Sequence, residues 1–367
     1  MARKGKNIYK RKDGRWEARY IASRGTGGKA KYKSVYGKTY GQADEKRTQA
    51  LLSALTAQKL CEARKGLLET VTSDWLESRN GLKESTVAQY HSLITRHILP
   101  YWQGQMIGEI NTFHVEQYVS CLLKSGLSPK TTADILILLR SIFKYAKKAG
   151  YSAVCDFKEI QIPKSNRSMR VLSQWEQRKL ADFLLKNTDY SKLGVLLALY
   201  TGLRIGELCS LKWGHIDLKD RVLRVKQTMQ RIKNLSGEGG TKTKIVITSP
   251  KSEKSMREIP IPEFLMPPLQ KFAGEPNAYI LTGSPDKFTE PRTMQKRFKA
   301  YLKASGVEDA NFHATRHTFA TRAVELGFDV KSLSELLGHA NVNTTLMLYV
   351  HPSFALKREY MDRLGAG

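Results

Sequence analysis

The sequence predicts a mainly α protein with small β-sheets. An N-terminal three-stranded sheet with one helix comes first, then a four-helix domain, then a mixed α+β domain. Three observations predict this. Apolar residues recur at helical spacing over most of the chain. Period-two alternation is confined to the first 40 residues and to a stretch after residue 220. Basic charge is concentrated at the N-terminus, with 18 Lys/Arg against 5 Asp/Glu in residues 1–65, a net +13. A length of 367 residues allows two or three domains at ~100–200 residues each. The 41% hydrophobic content with 26% charged residues is globular and excludes wholesale disorder.

Residues 1–65 begin with Ile8–Arg11, Trp16–Ala22 and Lys31–Tyr36, which alternate basic or polar residues with Tyr, Trp, Ile and Val. Asp13-Gly14 and Gly25-Thr-Gly-Gly28 separate them, as tight turns separate antiparallel strands. A helix over Gly41–Leu60 follows, with Leu51, Leu52 and Leu55 on one side. A sheet face carrying Arg11, Arg15, Arg19, Lys31 and Lys33 suits DNA, because a major groove admits strands as well as helices. The plainer reading is a basic face that meets phosphates without reading bases.

Residues 66–155 return to helical periodicity over Thr72–Arg79, Ser85–Ile98, Thr112–Lys124 and Pro129–Ala149. Ser85, Asn111 and Ser128-Pro129 are start signals; Pro100, Gly126 and Gly150 are stops. Residues 156–170 are extended, proline-containing and basic, and read as a linker. Residues 171–367 alternate helices (Ser173–Lys186, Lys192–Gly202, Glu290–Ser305, Thr315–Leu326, Lys331–Leu337, Thr344–Val350) with strands (Arg221–Gln227, Lys244–Thr248, Arg257–Pro260).

The formal charge of +27 calls for a polyanionic partner, nucleic acid before an anionic membrane. The longest apolar stretch, Leu193–Leu203, falls short of the ~20 residues a spanning helix needs. The N-terminus has a basic start but no apolar core of a secretory signal. Four cysteines, Cys61, Cys121, Cys155 and Cys209, form no CxxC pair, so reduced thiols are expected rather than disulfides or zinc ribbons. The expectation is a soluble cytoplasmic protein associated with the nucleoid.

Four segments carry chemistry. In Thr201-Gly-Leu-Arg-Ile-Gly-Glu-Leu an arginine follows a glycine turn, with Glu207 three residues on. A carboxylate-held Arg204 would offer a phosphate a rigid fork, though such pairs are more often surface ion pairs. His313-Ala-Thr-Arg316-His317 sets His313 and Arg316 on one side of a helix start that favours anions. His313 and His317 at i,i+4 also have zinc-ligand spacing, but no HExxH glutamate or third ligand accompanies them. Leu336-Leu-Gly-His339 is a glycine-ended helix with a histidine just beyond it. Tyr349 follows on a short helix with Asn343 as its cap. A lone tyrosine is usually a core residue. A phenol with pKa ≈ 10 is about 0.1% ionised at pH 7, so chemistry at its oxygen needs cations or a base nearby.

In order, TGLRIGEL, PKSEKSMREIPIP, HATRHTFAT and LGHANVNTTLMLYVHP resemble the tyrosine recombinase (phage-type integrase) family, strongly over residues 170–352. Residues 68–150 resemble the family's core-type DNA-binding domain, and residues 1–65 its arm-type domain. The resemblance implies that Arg204 and Arg316 clamp the scissile phosphate and that Tyr349 is the nucleophile. His313 and His339 would donate hydrogen bonds to the phosphate or help take the tyrosine proton. Lys251 would protonate the leaving 5′-oxygen, with Lys254 the alternative, and Glu207 would orient the cluster. No cofactor is implied: there is no carboxylate cluster for Mg²⁺ and no GxxxxGK[ST] loop. The partners implied are double-stranded DNA at core and arm attachment sites, a homotetramer on that DNA, and an accessory DNA-bending or excision protein. The activity implied is integration and excision of a mobile element through a Holliday junction. A non-catalytic DNA binder and a type IB topoisomerase are the competing readings. The tail Pro352–Gly367 would dock on a neighbouring subunit or on its own domain.

Overall fold

The computed structural model describes residues 7–24, 30–62, 66–163, 169–235, 240–250, 255–349, 358 and 361–362. Lys251, Lys254, the Gly25–Gly28 turn and all of the C-terminal tail but Arg358, Met361 and Asp362 lie outside them. The chain divides into two compact units, Met1–Ser165 and Asn166–Gly367.

The first unit opens with an antiparallel sheet, β1 (Ile8–Lys10), β2 (Trp16–Arg24) and β3 (Ala30–Gly37), in the order β1-β2-β3. Gly14 turns β1 into β2 at φ +84. Helix α1 (Tyr40–Glu62) packs on the sheet and buries Ala18 and Ala43 completely. Leu52, expected on the packed side of α1, is 61% exposed.

The helical part contains α2 (Leu68–Glu77), α3 (Glu84–Leu93), α4 (Leu99–Trp102), α5 (Thr112–Lys124) and α6 (Pro129–Lys148). The helix expected over Ser85–Ile98 differs. A π-turn over Ile94–Ile98 joins α3 to α4, and the chain stays helical through Pro100. Proline cannot donate to the preceding turn, and the wider π-turn accommodates it while Ile94, Ile98 and Trp102 stay buried. Asn111 and Ser128 cap α5 and α6 by accepting from His114 and Thr131 N–H groups, whereas α3 starts one residue before Ser85 with no side-chain cap. Of the segment read as a linker, residues 156–163 and 169–170 are described; they hold no helix or strand, the chain turns at residues 157–159, Phe157 and Ile160 are buried in the helical core, and Arg140 donates to the Phe157 carbonyl.

The second unit is organised around α8 (Tyr190–Thr201). The apolar stretch too short for a membrane is this helix, in which Leu193 and residues 195–199 are fully buried. A helix apolar all round is a core helix. It packs against α7 (Gln174–Leu185), α11 (Pro291–Ser305) and α12 (His313–Glu325). After the short α9 (Ile205–Cys209) come β4 (Ile216–Asp217), β5 (Val222–Val225), β6 (Thr228–Lys233), β7 (Thr243–Thr248) and β8 (Arg257–Pro260). β5 pairs with β4 and β8, and β6 with β7, all antiparallel. The one strand expected over Arg221–Gln227 is therefore the first of two, with β6 unforeseen. Then come α10 (Met266–Phe272), α13 (Val330–Leu337) and α14 (Val342–Tyr349), the last two packed on α12 and on each other. α14 starts two residues earlier than expected, and Asn341 rather than Asn343 supplies the capping oxygen, accepting from Asn343 N–H at 2.9 Å.

Candidate active site

Two glycine-ended helices build the site. α8 ends at Gly202 (φ +66) and α13 at Gly338 (φ +63), in the left-handed region that favours glycine. A Cβ at Gly202 would lie 2.6 Å from Phe319, and one at Gly338 would lie 3.0 Å from Arg257 Cδ. The last carbonyls of a helix lack intrahelical partners and carry the negative end of its dipole. Here guanidinium groups take them. Arg257 Nε donates to Leu336 O at 2.6 Å, Arg316 Nη2 to Leu337 O at 2.6 Å, and Arg204 Nη2 to Gly338 O at 3.2 Å. Arg316 Nη1 also donates to Gly202 O at 2.8 Å. Arginines from β8, from α12 and from the start of α9 thus meet at one helix end.

Glu207 on α9 joins two of them. Its Oε1 accepts from Arg204 Nη1 at 2.8 Å and from Arg257 Nη1 at 3.1 Å; its Oε2 accepts from Arg257 Nη2 and the Arg204 N–H, each at 2.9 Å. Burial pushes this carboxyl up, but the hydrogen bond and charge of Arg257, then Arg204, outweigh it and hold it below its usual range. Arg316 is 1% exposed, and burial, then Arg204 and Arg257, bring its pKa down to about 9. It remains charged at neutral pH. Three guanidiniums against one carboxylate leave a net +2 in this cluster, a charge that a bound oxyanion would offset.

Arg204 and Glu207 open on a cleft of about 620 Å³ shared with Thr228, Gln230, His339 and Asn341. Pro250 and Ser255, which bracket residues 251–254, also line it. His339 follows the α13 cap and bonds through Nδ1 to Thr345 Oγ1 at 2.8 Å. Its ring lies parallel to that of Tyr349, 3° between planes and 6.4 Å between centroids. Burial first, then Arg316, Arg204 and Arg257, brings His339 down to about 4. His313, at the start of α12, is likewise brought to about 4 by desolvation, then by His317 and Arg316. Both are neutral at pH 7.

Tyr349 is 7% exposed on α14, and its hydroxyl lies 2.8 Å from Nδ1 of His317. Burial raises its pKa, opposed by Arg316 and Arg204. Arg204, Glu207, Arg316, His339 and Tyr349 therefore converge. His313 stands one helical turn from His317, their rings edge-on at 4.6 Å. Two residues of the cluster, Arg257 and His317, were not read from the sequence. The signal for Arg257 was its place in the segment with Pro250; the signal for His317 was its i,i+4 spacing from His313, weighed only as a metal pair. Among the described residues no group of three or more His, Cys, Asp or Glu could hold a metal ion.

The N-terminal sheet splits the basic residues proposed for DNA. Arg11 and Arg15 lie over the Tyr36 ring and Arg19 over Tyr9. Glu17, 4% exposed, accepts from Arg11, Arg19 and Ser34. Lys31 and Lys33 alternate with Tyr32, Ser34 and Tyr36, so they share a pleat face with Val35, opposite buried Ala18. One basic face becomes two.

Residues 170–355 match the phage integrase family and residues 73–150 its N-terminal SAM-like domain. A tyrosine recombinase XerC-like protein of Caldanaerobacter subterraneus subsp. tengcongensis is 30% identical over 350 residues, covering 88% of this chain and 89% of its own. The fold is similar to that of the Tn1549 transposon integrase in complex with transposon right end DNA (TM-score 0.67, 22% identity, 82% of this chain and 100% of that one). It is also similar to that of lambda integrase, solved as a tetramer bound to a Holliday junction (TM-score 0.59, 20% identity, 95% and 97%). The chain belongs to the phage integrase family and is a tyrosine-type site-specific recombinase.

Proposed function

We propose that this recombinase cuts and rejoins DNA through a 3′-phosphotyrosine on Tyr349, integrating and excising a mobile element. The observation that carries this is the meeting of Arg204, Arg316 and His339 around a buried tyrosine, in a guanidinium cluster of net positive charge whose Arg204 opens on the cleft. Arg204 and Arg316 would hold the non-bridging oxygens of the scissile phosphate and stabilise the charge that builds there. His339 and His313 would donate hydrogen bonds to the same group. Lys251, bracketed by cleft residues Pro250 and Ser255, would protonate the leaving 5′-oxygen, with Lys254 as the alternative. Glu207 would fix the aim of Arg204. The phosphotyrosine keeps the bond energy, so rejoining needs no cofactor.

The assembly proposed is a homotetramer on two duplexes, with the helical domain on core sites and residues 1–65 on arm sites. An accessory DNA-bending or excision protein would assist, and the setting would be the cytoplasmic nucleoid. Among the described residues no helix is long and apolar enough to cross a membrane. The test is covalent capture on a suicide duplex carrying the element's ends. Wild type should give a denaturation-resistant adduct, and Tyr349→Phe should bind the duplex without forming one. An adduct from the phenylalanine protein would refute the nucleophile.

A further inference from the structure

We propose that His317 takes the proton of the Tyr349 hydroxyl during strand cleavage and returns it during rejoining. This rests on Tyr349 being the nucleophile.

The phenol needs an acceptor. Tyr349 is buried, and burial favours its neutral form despite Arg316 and Arg204. The cations alone leave the proton in place before DNA arrives. His317 Nδ1 lies 2.8 Å from the hydroxyl, the ordinary O–H···N reach for direct transfer. The other imidazoles are placed differently. His339 has its Nδ1 engaged with Thr345 and stacks beside the tyrosine ring. His313 lies a helical turn away, edge-on to His317.

The protonation state suits the task. Burial, then Arg316, holds His317 below the usual imidazole range, so it is neutral at pH 7. With the proton on Nε2, the Nδ1 lone pair faces the phenol. Its place on α12, directly after Arg316, ties the acceptor to the residue proposed to hold the phosphate. An incoming phosphodiester would offset the Arg316 charge that disfavours imidazolium, so His317 becomes a stronger acceptor when substrate is present.

The step balances. The phenol proton passes to His317 Nδ1, Tyr349 Oη bonds to phosphorus, and the P–O5′ bond breaks. The 5′-oxygen takes its proton from a separate donor, the role proposed for Lys251. In rejoining the 5′-hydroxyl returns its proton to that same donor as it attacks phosphorus, the bond from phosphorus to Tyr349 Oη breaks, and Tyr349 takes back the proton held by His317.

The test is single-turnover adduct formation by the full chain on a suicide core duplex. Asparagine keeps a polar atom near the Nδ1 position but cannot take the proton, so His317→Asn should bind the duplex normally and form adduct about 10²–10⁴-fold more slowly. A ring-fluorinated tyrosine at position 349, whose phenol ionises with little help, should recover at least about tenfold of that loss and change wild type little. His317→Asn reacting within about threefold of wild type would overturn the proposal, as would a loss that the fluorinated tyrosine leaves untouched. Adduct formation by Tyr349→Phe would overturn the nucleophile reading as well. A silent Tyr349→Phe beside a fast His317→Asn would overturn this proposal alone.

Discussion

Arg257 and Glu207 meet fork to fork, with Nη1 3.1 Å from Oε1 and Nη2 2.9 Å from Oε2, and their side chains are 5% and 4% exposed. Burying such a pair costs desolvation, and parallel hydrogen bonds together with a second cation, Arg204, compensate it. Glu207→Gln removes the charge that holds the buried Arg257 guanidinium and braces the half-buried Arg204. Loss of one partner of a buried pair costs about 3–5 kcal/mol, which chemical denaturation of the full chain should register in the transition of the second unit. Adduct formation should fall with it, because Arg204 loses its brace.

Arg316→Lys keeps the charge but loses the fork that spans the Gly202 and Leu337 carbonyls. Core-duplex binding measured by gel shift should change little. Cleavage should drop about 10²–10³-fold, as when one preorganised donor to a developing oxyanion is removed.

Gly338→Ala places a Cβ 3.0 Å from Arg257 Cδ on a residue at φ +63. The left-handed backbone alone costs about 1–2 kcal/mol. The carbonyl that receives Arg204 belongs to this residue, so slower adduct formation should accompany the stability loss.

Acid should loosen the second unit. His313 and His339 titrate near 4 in the folded protein against 6.5 for the free side chain. Between those values the unfolded chain binds more protons, so folding stability falls as pH drops from about 6.5 towards 4. Denaturant midpoints across that window should decline, and His339→Gln should flatten the decline.

Removing residues 1–65 takes away a net +13. Binding to arm-site duplex should be lost while core-site adduct formation persists. The log–log salt slope should become shallower by about 0.9 for each phosphate contact removed. Glu17→Gln, which frees Arg11 and Arg19 from their common carboxylate and adds a unit of positive charge to that face, should strengthen arm binding without touching core cleavage.

Much of this was legible because local rules wrote it. The Asn111 and Ser128 caps, the glycine stops at Gly202 and Gly338, and the period-two strands β2 and β8 depend on neighbours within a few positions. Arg204, Glu207, Arg316, His339 and Tyr349 were legible as an ordered set, and the fold brings them together. What escaped depended on distant partners. Arg257 gains its meaning from Glu207, 50 residues earlier, and from a carbonyl 79 residues later. The contact of His317 with Tyr349 requires α14 to pack on α12. The division of Lys31 and Lys33 from Arg11, Arg15 and Arg19 follows from strand register, which composition does not encode. β6 escaped for want of a clear apolar alternation in Thr228–Lys233.

The three carbonyls that receive Arg257, Arg316 and Arg204 are main-chain atoms of consecutive residues. Every amino acid supplies the same oxygen there, so the hold on these cations is indifferent to which side chains occupy positions 336 and 337. Drift at those two sites is limited by volume in the interior and by the α13 turn, and leaves the docking points for the guanidiniums unaltered.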